Sequence, residues 1–183
     1  MALHLAAALA ATGRTLLVDT DPQRAALTEA RGLAGFAGDD PRRCSSALAM
    51  TGPDLTRRLD QLRAGYTWTV LDTPSADLAT VRAAVRVADA VLVPWPPAIG
   101  LVLLAPTLEL LASASTAGWT RPWAVLLTQV STDTADLRAA LAARGAPVLD
   151  AELPHRGRSG HGGTATALDY APAIADVIAL IAA

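Results

Sequence analysis

Two short segments hold the side chains most able to do chemistry. One is Leu16-Leu17-Val18-Asp19-Thr20-Asp21-Pro22-Gln23; the other is Val70-Leu71-Asp72-Thr73-Pro74. In each, an apolar run ends in an aspartate, followed by residues that favour a turn. An apolar run without strict alternation predicts a strand covered on both faces. A carboxylate at the carboxyl end of such a strand stands where open α/β sheets take their ligands. It can hold Mg²⁺ through water, because that ion prefers oxygen ligands and keeps several waters. Mg²⁺ in turn neutralises the phosphates of a nucleotide. One such aspartate is more simply a turn cap. Two of them, at the ends of two strands, favour the ligand reading.

The elements that must position these groups alternate along the chain. Helices are predicted over Ala2–Ala11, Pro22–Ala30, Asp54–Ala64, Asp77–Val87, about Ala98–Ala117, Thr134–Arg144 and Ala171–Ala182. Strands are predicted over Thr15–Val18, Tyr66–Leu71, Ala90–Val93, Trp123–Leu127 and Pro147–Leu153, with one more short strand somewhere in Gly32–Thr51. Pro22 falls near a helix start, Asp54 has the character of an N-cap, and Gly13, Gly65 and Gly145 close helices. Strand–helix alternation implies an α/β fold, a mostly parallel sheet with helices on both faces. The 183 residues suit a single domain.

Composition narrows the function classes. The chain is 52% hydrophobic and 17% charged, enough apolar material for a sizeable core. Its net charge of −2 gives no overall basic excess of the kind nucleic-acid binders show, although a local patch is compatible with it. All 15 basic side chains are arginine. Cys44 is the single cysteine, which excludes an internal disulfide and a cysteine-cluster metal site and fits the reducing cytoplasm. The apolar start lacks the basic region of a signal peptide. Ala90 to Leu108 is uncharged, but Pro94, Pro96, Pro97 and Pro106 interrupt it. It reads as strand, turn and buried helix rather than a membrane span.

Five ordered stretches resemble the ParA/MinD (Soj-like) family of deviant Walker P-loop ATPases. Asp19-Thr20-Asp21-Pro22-Gln23 is similar to that family's D-x-D-P-Q segment, and Leu71-Asp72-Thr73-Pro74 to its Walker B and switch II start. Ala88-Asp89-Ala90-Val91-Leu92-Val93-Pro94, Leu153-Pro154 and Leu168-Asp169-Tyr170-Ala171-Pro172 resemble three later elements. Ser75 departs from the family pattern, which has a second proline there. By this resemblance Asp19 and Asp21 would face the nucleotide and the attacking water. Asp72 would be the carboxylate that holds Mg²⁺ through water. Thr73 and Pro74 would begin the switch that senses the γ-phosphate. Thr128 and Pro154 would lie by the adenine. ATP and Mg²⁺ would be the cofactors of the complete protein.

In that family a strand and a K-G-G-x-G-K-T-type loop precede the first helix, and Met1-Ala2-Leu3-His4-Leu5-Ala6 matches the helix just after it. The chain as given has no lysine, so ordinary ATP hydrolysis by these residues alone is not expected. The expected strand is central, and its loss should leave two inner sheet edges with unpaired backbone. A start called too late is the favoured explanation, over a degenerate relative or a strand supplied by another chain. Gly157-Arg158-Ser159-Gly160-His161-Gly162-Gly163-Thr164 mimics a phosphate loop, but Gly163 stands where lysine belongs. It reads as a surface loop. His4, His155 and His161 have no carboxylate or cysteine nearby in sequence to complete a metal site, and the four tryptophans are scattered anchors.

The implied function is DNA partitioning, of a plasmid or a chromosome. Its partners would be non-specific DNA and a ParB-like protein, with a homodimer and no membrane. Arg82 and Arg86 share a helix face, Arg156 and Arg158 share a loop, and all four are candidate phosphate contacts. A non-catalytic interaction or DNA-binding module and a fragment of a cobyrinic acid diamide synthase-like enzyme are the alternatives.

Overall fold

The computed structural model describes residues 1–30, 46–50, 55–74, 77–155 and 170–182. They form an α/β fold in two compact units, Met1–Val87 and Ala88–Ala183. Each unit carries its own three-stranded parallel sheet.

In the first unit the strand order is β2-β1-β3, with β1 (Thr15–Asp19) between β2 (Ser46–Ala49) and β3 (Trp68–Asp72). Every residue of β1 is buried, as its unbroken apolar run requires. Its side chains alternate between two cores. Leu17 meets Ala2, Leu3 and Ala6 of α1 (Ala2–Leu9) and Ala26 and Ala30 of α2 (Ala25–Ala30). Leu16 and Val18 meet Leu55 and Leu59 of α3 (Leu55–Arg63), with Ala83 and Val87 of α4 (Leu78–Val87) packed alongside. Two helices therefore cover each face of the sheet.

The reversal from α1 into β1 is tight. Thr67 N–H and Trp68 N–H both donate to the Arg14 carbonyl, at 2.8 and 3.1 Å. A Cβ on Gly13 would stand 2.7 Å from Thr67 Oγ1 and 2.8 Å from its Cβ, so only glycine allows this approach. Because α1 leads directly back into β1, its amino end lies at the carboxyl end of the sheet.

In the second unit β5 (Trp123–Val130) lies between β4 (Val91–Trp95) and β6 (Val148–Pro154). Ala124 to Leu127 are buried at its centre. The β5–β6 register shifts twice between Val125 and Val130, and Gln129 takes a positive φ of 54° there. Arg138 of α6 (Ala135–Ala142) clamps β6. Its guanidinium donates to Glu152 Oε1 and to the carbonyls of Leu149 and Asp150. Thr134 Oγ1 donates to the same Glu152 oxygen. Asp176 of α7 (Ala171–Ala182) accepts the Ala151 N–H at 2.8 Å, satisfying a donor of β6.

The elements differ from expectation at their ends. The helix expected over Ala98–Ala117 is two 3₁₀ turns, Pro97–Ile99 and Leu101–Leu104, followed by α5 (Ala105–Thr116). Gly100, at φ 76°, separates the two turns. The helix expected from Pro22 starts at Ala25 instead, because Asp21 to Arg24 close a turn with Arg24 at φ 54°. The proposed cap Asp54 lies outside the described residues. Among the described residues β3 bonds only to β1 and β4 only to β5, so each sheet has an inner strand and two outer ones. No described helix is long and apolar enough to cross a membrane; Ala90–Leu108 resolves into β4, the 3₁₀ turns and the start of α5.

Candidate strand-end site

Asp19 and Asp72 are register partners, the last pair of the β1–β3 ladder. Sequence separates them by more than fifty positions; parallel pairing sets them side by side. Thr20 ties the two strand ends together. Its N–H and its hydroxyl both donate to the Asp72 carbonyl, at 2.9 and 2.7 Å. Thr20 is buried, and the sequence reading had not singled it out. The available signal was a small hydroxyl residue between two aspartates.

The two carboxylates stand in different surroundings. Asp19 is fully buried and uses both oxygens locally. Oδ1 accepts the Asp21 N–H at 3.0 Å, and Oδ2 accepts the Leu27 N–H at 2.9 Å in the first turn of α2. Asp19 is therefore the group that seats α2 on the end of β1. Asp21 repeats the motif nearer the surface, accepting the Gln23 N–H at 2.8 Å. Asp72 is half-buried. Burial pushes its carboxyl above the usual carboxylate range; the Met1 amino group opposes this, while Asp19 and Asp21 push the same way. The Met1 influence places the start of α1 beside the strand ends.

The raised pKa of Asp72 carries a stability consequence. A carboxyl that holds its proton more tightly in the folded state favours folding at low pH. That contribution is complete below the unfolded carboxyl value, near about 3.9, and is lost as pH rises through the higher folded value. At neutral pH the ionised Asp72 therefore works against the fold. We expect Asp72→Asn to raise stability at pH 7 by up to about 1 kcal/mol, the scale of partly exposed charge interactions. The gain should disappear below about pH 4, where Asp72 is itself protonated. Urea unfolding at the two pH values reads this directly.

These surroundings suit a cation more than they suit a bare phosphate. Asp72 resists ionisation, through burial first and the charges of Asp19 and Asp21 after it, and a nearby cation would relieve this. Among the described residues no group of three or more His, Cys, Asp or Glu could hold a metal ion by itself. At the amino end of α1 no side chain caps the helix, which leaves its opening backbone N–H groups as donors for an anion.

The remaining candidates fall elsewhere. Thr73 follows Asp72 half-buried, and Pro74 is buried. Thr128 and Pro154 share the carboxyl end of the second sheet, where Val130 pairs with Pro154. Trp95 ends β4 in register with Leu127, and its buried indole Nε1 has no hydrogen-bond partner. Trp95 and the strained Gln129 are features of that end that periodicity does not signal. Arg82 and Arg86 are exposed on α4. Arg156, Arg158 and the glycine-rich loop Gly157–Thr164 lie outside the described residues.

The fold is an α/β fold similar to that of a solved plasmid partition protein. It superimposes on the crystal structure of a plasmid partition protein from Borrelia burgdorferi with a TM-score of 0.67, covering 97% of this chain and 90% of that one. At 14% identity that likeness shows the fold alone. In sequence, 100 residues are 45% identical to the Maintenance of carboxysome distribution protein A of Gloeobacter kilaueensis. The matched stretch is 53% of this chain and 42% of that protein, so it spans less than half of the curated relative. No protein-family model matches the chain.

Proposed function

We propose that the chain is the body of a ParA-like positioning ATPase, which distributes DNA or another large cargo. The observation that carries this reading is the registered pair Asp19–Asp72 at the ends of two parallel strands, with the amino end of α1 beside them. Support comes from the two similar proteins, one named for plasmid partition and the other for carboxysome distribution. The site would take Mg·ATP at the carboxyl end of the first sheet. Asp72 would orient the water shell of Mg²⁺. Thr73 and Pro74 would follow the γ-phosphate. Bound Mg²⁺ would neutralise developing charge on the phosphates. Asp19, through its two backbone bonds, would hold Asp21 in place toward the water. DNA, a ParB-like protein and a second copy of the chain would be its partners.

Phosphate cradling needs positive charge and N–H donors, and the 183 residues supply no lysine. These residues alone are therefore expected not to hydrolyse ATP above the buffer rate. The same chain preceded by a strand and a K-G-G-x-G-K-T loop should hydrolyse it. In that extended chain Asp72→Ala should lower turnover by about 10- to 100-fold, the usual cost of losing an outer-shell metal partner. Hydrolysis by the 183 residues unaided would refute the first expectation. An extended, folded chain that neither binds nor hydrolyses Mg·ATP would refute the nucleotide reading.

A further inference from the structure

The amino end of the first sheet, opposite to Asp19 and Asp72, carries a second group of side chains that the fold leaves partly unused. Arg14 immediately precedes β1 and is partly exposed there. Its backbone is held firmly: the Arg14 carbonyl accepts the N–H groups of Thr67 and Trp68. Its guanidinium lies over the ring of Tyr66, with Cζ 4.9 Å from the ring centroid. That contact orients the planar fork while using none of its five N–H donors. Arg14 Nε is buried without a hydrogen-bond partner, and Arg14 makes no ion pair among the described residues.

Apolar surface continues from this pair. Tyr66 packs against the core that Leu16 and Val18 form with Leu55 and Leu59, so the pair lies on the α3 side of the sheet. Leu55, Leu59 and Leu62 are spaced four and three apart and share one face of α3. The first two are 2% and 4% exposed, whereas Leu62 is 36% exposed. The turn out of α3 is closed by Gly65 N–H on the Leu62 carbonyl and Tyr66 N–H on the Arg63 carbonyl, at 3.1 and 3.0 Å. The core stripe of α3 therefore runs out into solvent at its carboxyl end, one turn before Tyr66. Asp60, the acidic side chain of α3, pairs with Arg63 at 3.2 Å.

We propose that Arg14, Tyr66 and Leu62 form a docking point for a protein segment that presents a carboxylate beside apolar side chains. A guanidinium held flat on an aromatic ring matches the two oxygens of a carboxylate. Because Nε is buried, the carboxylate would bond end-on to the two Nη groups. Tyrosine and arginine bordering an apolar patch are the residue types that carry most of the energy of protein interfaces. A single cation amid apolar side chains suits one acidic residue; a nucleic-acid backbone is held by several cations at once. The segment would cover Leu62 and Tyr66 and exclude water from the ion pair, which strengthens it.

The test is an NMR titration of the full ¹⁵N-labelled chain, read at the arginine Nε–H signals. The Arg14 signal is the one lost in Arg14→Gln, and circular dichroism melting confirms that this variant and Leu62→Ser stay folded. The probes are the blocked peptide acetyl-Ala-Leu-Asp-Leu-Ala-amide and its counterpart with asparagine in place of aspartate. The aspartate peptide should move the Arg14 Nε–H and Tyr66 ring signals in a saturable way. The asparagine peptide should bind about tenfold more weakly or not at all, and so should the aspartate peptide to Arg14→Gln. Arg14→Lys should not restore binding, because it lacks the planar fork. Leu62→Ser should weaken binding severalfold, and Tyr66→Phe, which keeps the ring, should leave it unchanged. No saturable shift up to about 10 mM aspartate peptide would overturn the proposal. Equal binding of both peptides, or wild-type binding by Arg14→Gln, would overturn it as well. Arg14 signals moved by a mixed-sequence DNA duplex and not by the peptide would assign the group to nucleic acid and overturn it too. None of these failures bears on the Asp19–Asp72 site, which lies at the other end of the sheet.

Discussion

Asp19→Ala should lower the stability of the chain by about 3 kcal/mol, through loss of two charge-assisted hydrogen bonds worth roughly 1.5 kcal/mol or more each. The carboxylate is fully buried, and its two oxygens hold the Asp21 and Leu27 N–H groups. Alanine removes both acceptors at once, leaving the Leu27 donor in the first turn of α2 without its partner. Urea unfolding should show a lower midpoint with an unchanged slope, because the exposed surface of the unfolded chain stays the same. Asp19→Asn keeps one acceptor oxygen and should cost about half as much. The contrast with Asp72→Asn, expected to stabilise at neutral pH, makes the experiment diagnostic. Two aspartates paired in register should respond with opposite signs. An Asp19→Ala variant within about 0.5 kcal/mol of wild type would mean that the carboxylate is not needed for the fold.

Arg138→Ala should cost about 2 kcal/mol, between the value of an exposed ion pair and that of a fully buried one. The guanidinium spans three acceptors on β6: Glu152 Oε1 at 2.8 and 3.0 Å, the Leu149 carbonyl at 3.0 Å and the Asp150 carbonyl at 3.1 Å. Both charged side chains are 27% exposed, so water screens the pair in part. Truncation leaves Glu152 with the Thr134 hydroxyl as its remaining donor in this network and frees two carbonyls beside an irregular strand register. Glu152→Gln should cost less, since an amide oxygen still accepts from Arg138 and the carbonyl contacts remain. The check is a double-mutant cycle over Arg138 and Glu152 by thermal unfolding, expected to return a coupling of about 1 kcal/mol. A coupling of zero would place the whole effect of Arg138→Ala in its backbone contacts.

Much of this arrangement was open to reading along the chain. Apolar runs ending in Asp19 and Asp72 marked two strands and the ends that matter. Periodicity placed α1, α3, α4, α6 and α7 within a few residues of their observed bounds. The failures sit where local signals compete. Pro22 suits a helix start, yet it falls within the turn that Arg24 closes at positive φ, so α2 begins three residues later. Between Ala98 and Ala117 the composition favours helix throughout, but Gly100 breaks the run into two 3₁₀ turns before α5 can form. Helix propensity is a weak preference spread over many residues, and one positive φ overrides it.

What the sequence by itself determined is the alternation of elements, the α/β class and the positions of two aspartates at strand ends. These depend on patterns repeated every two to four residues, which any short stretch of chain carries within itself. Only tertiary structure decided that β1 pairs with both β2 and β3, and so that Asp19 and Asp72 stand side by side. It also decided that Asp19 spends its oxygens on backbone N–H groups, and that α3 and α4 share one face. Pairing and layering bring together residues far apart in the chain. Their energy lies in contacts that exist only after the sheet has closed.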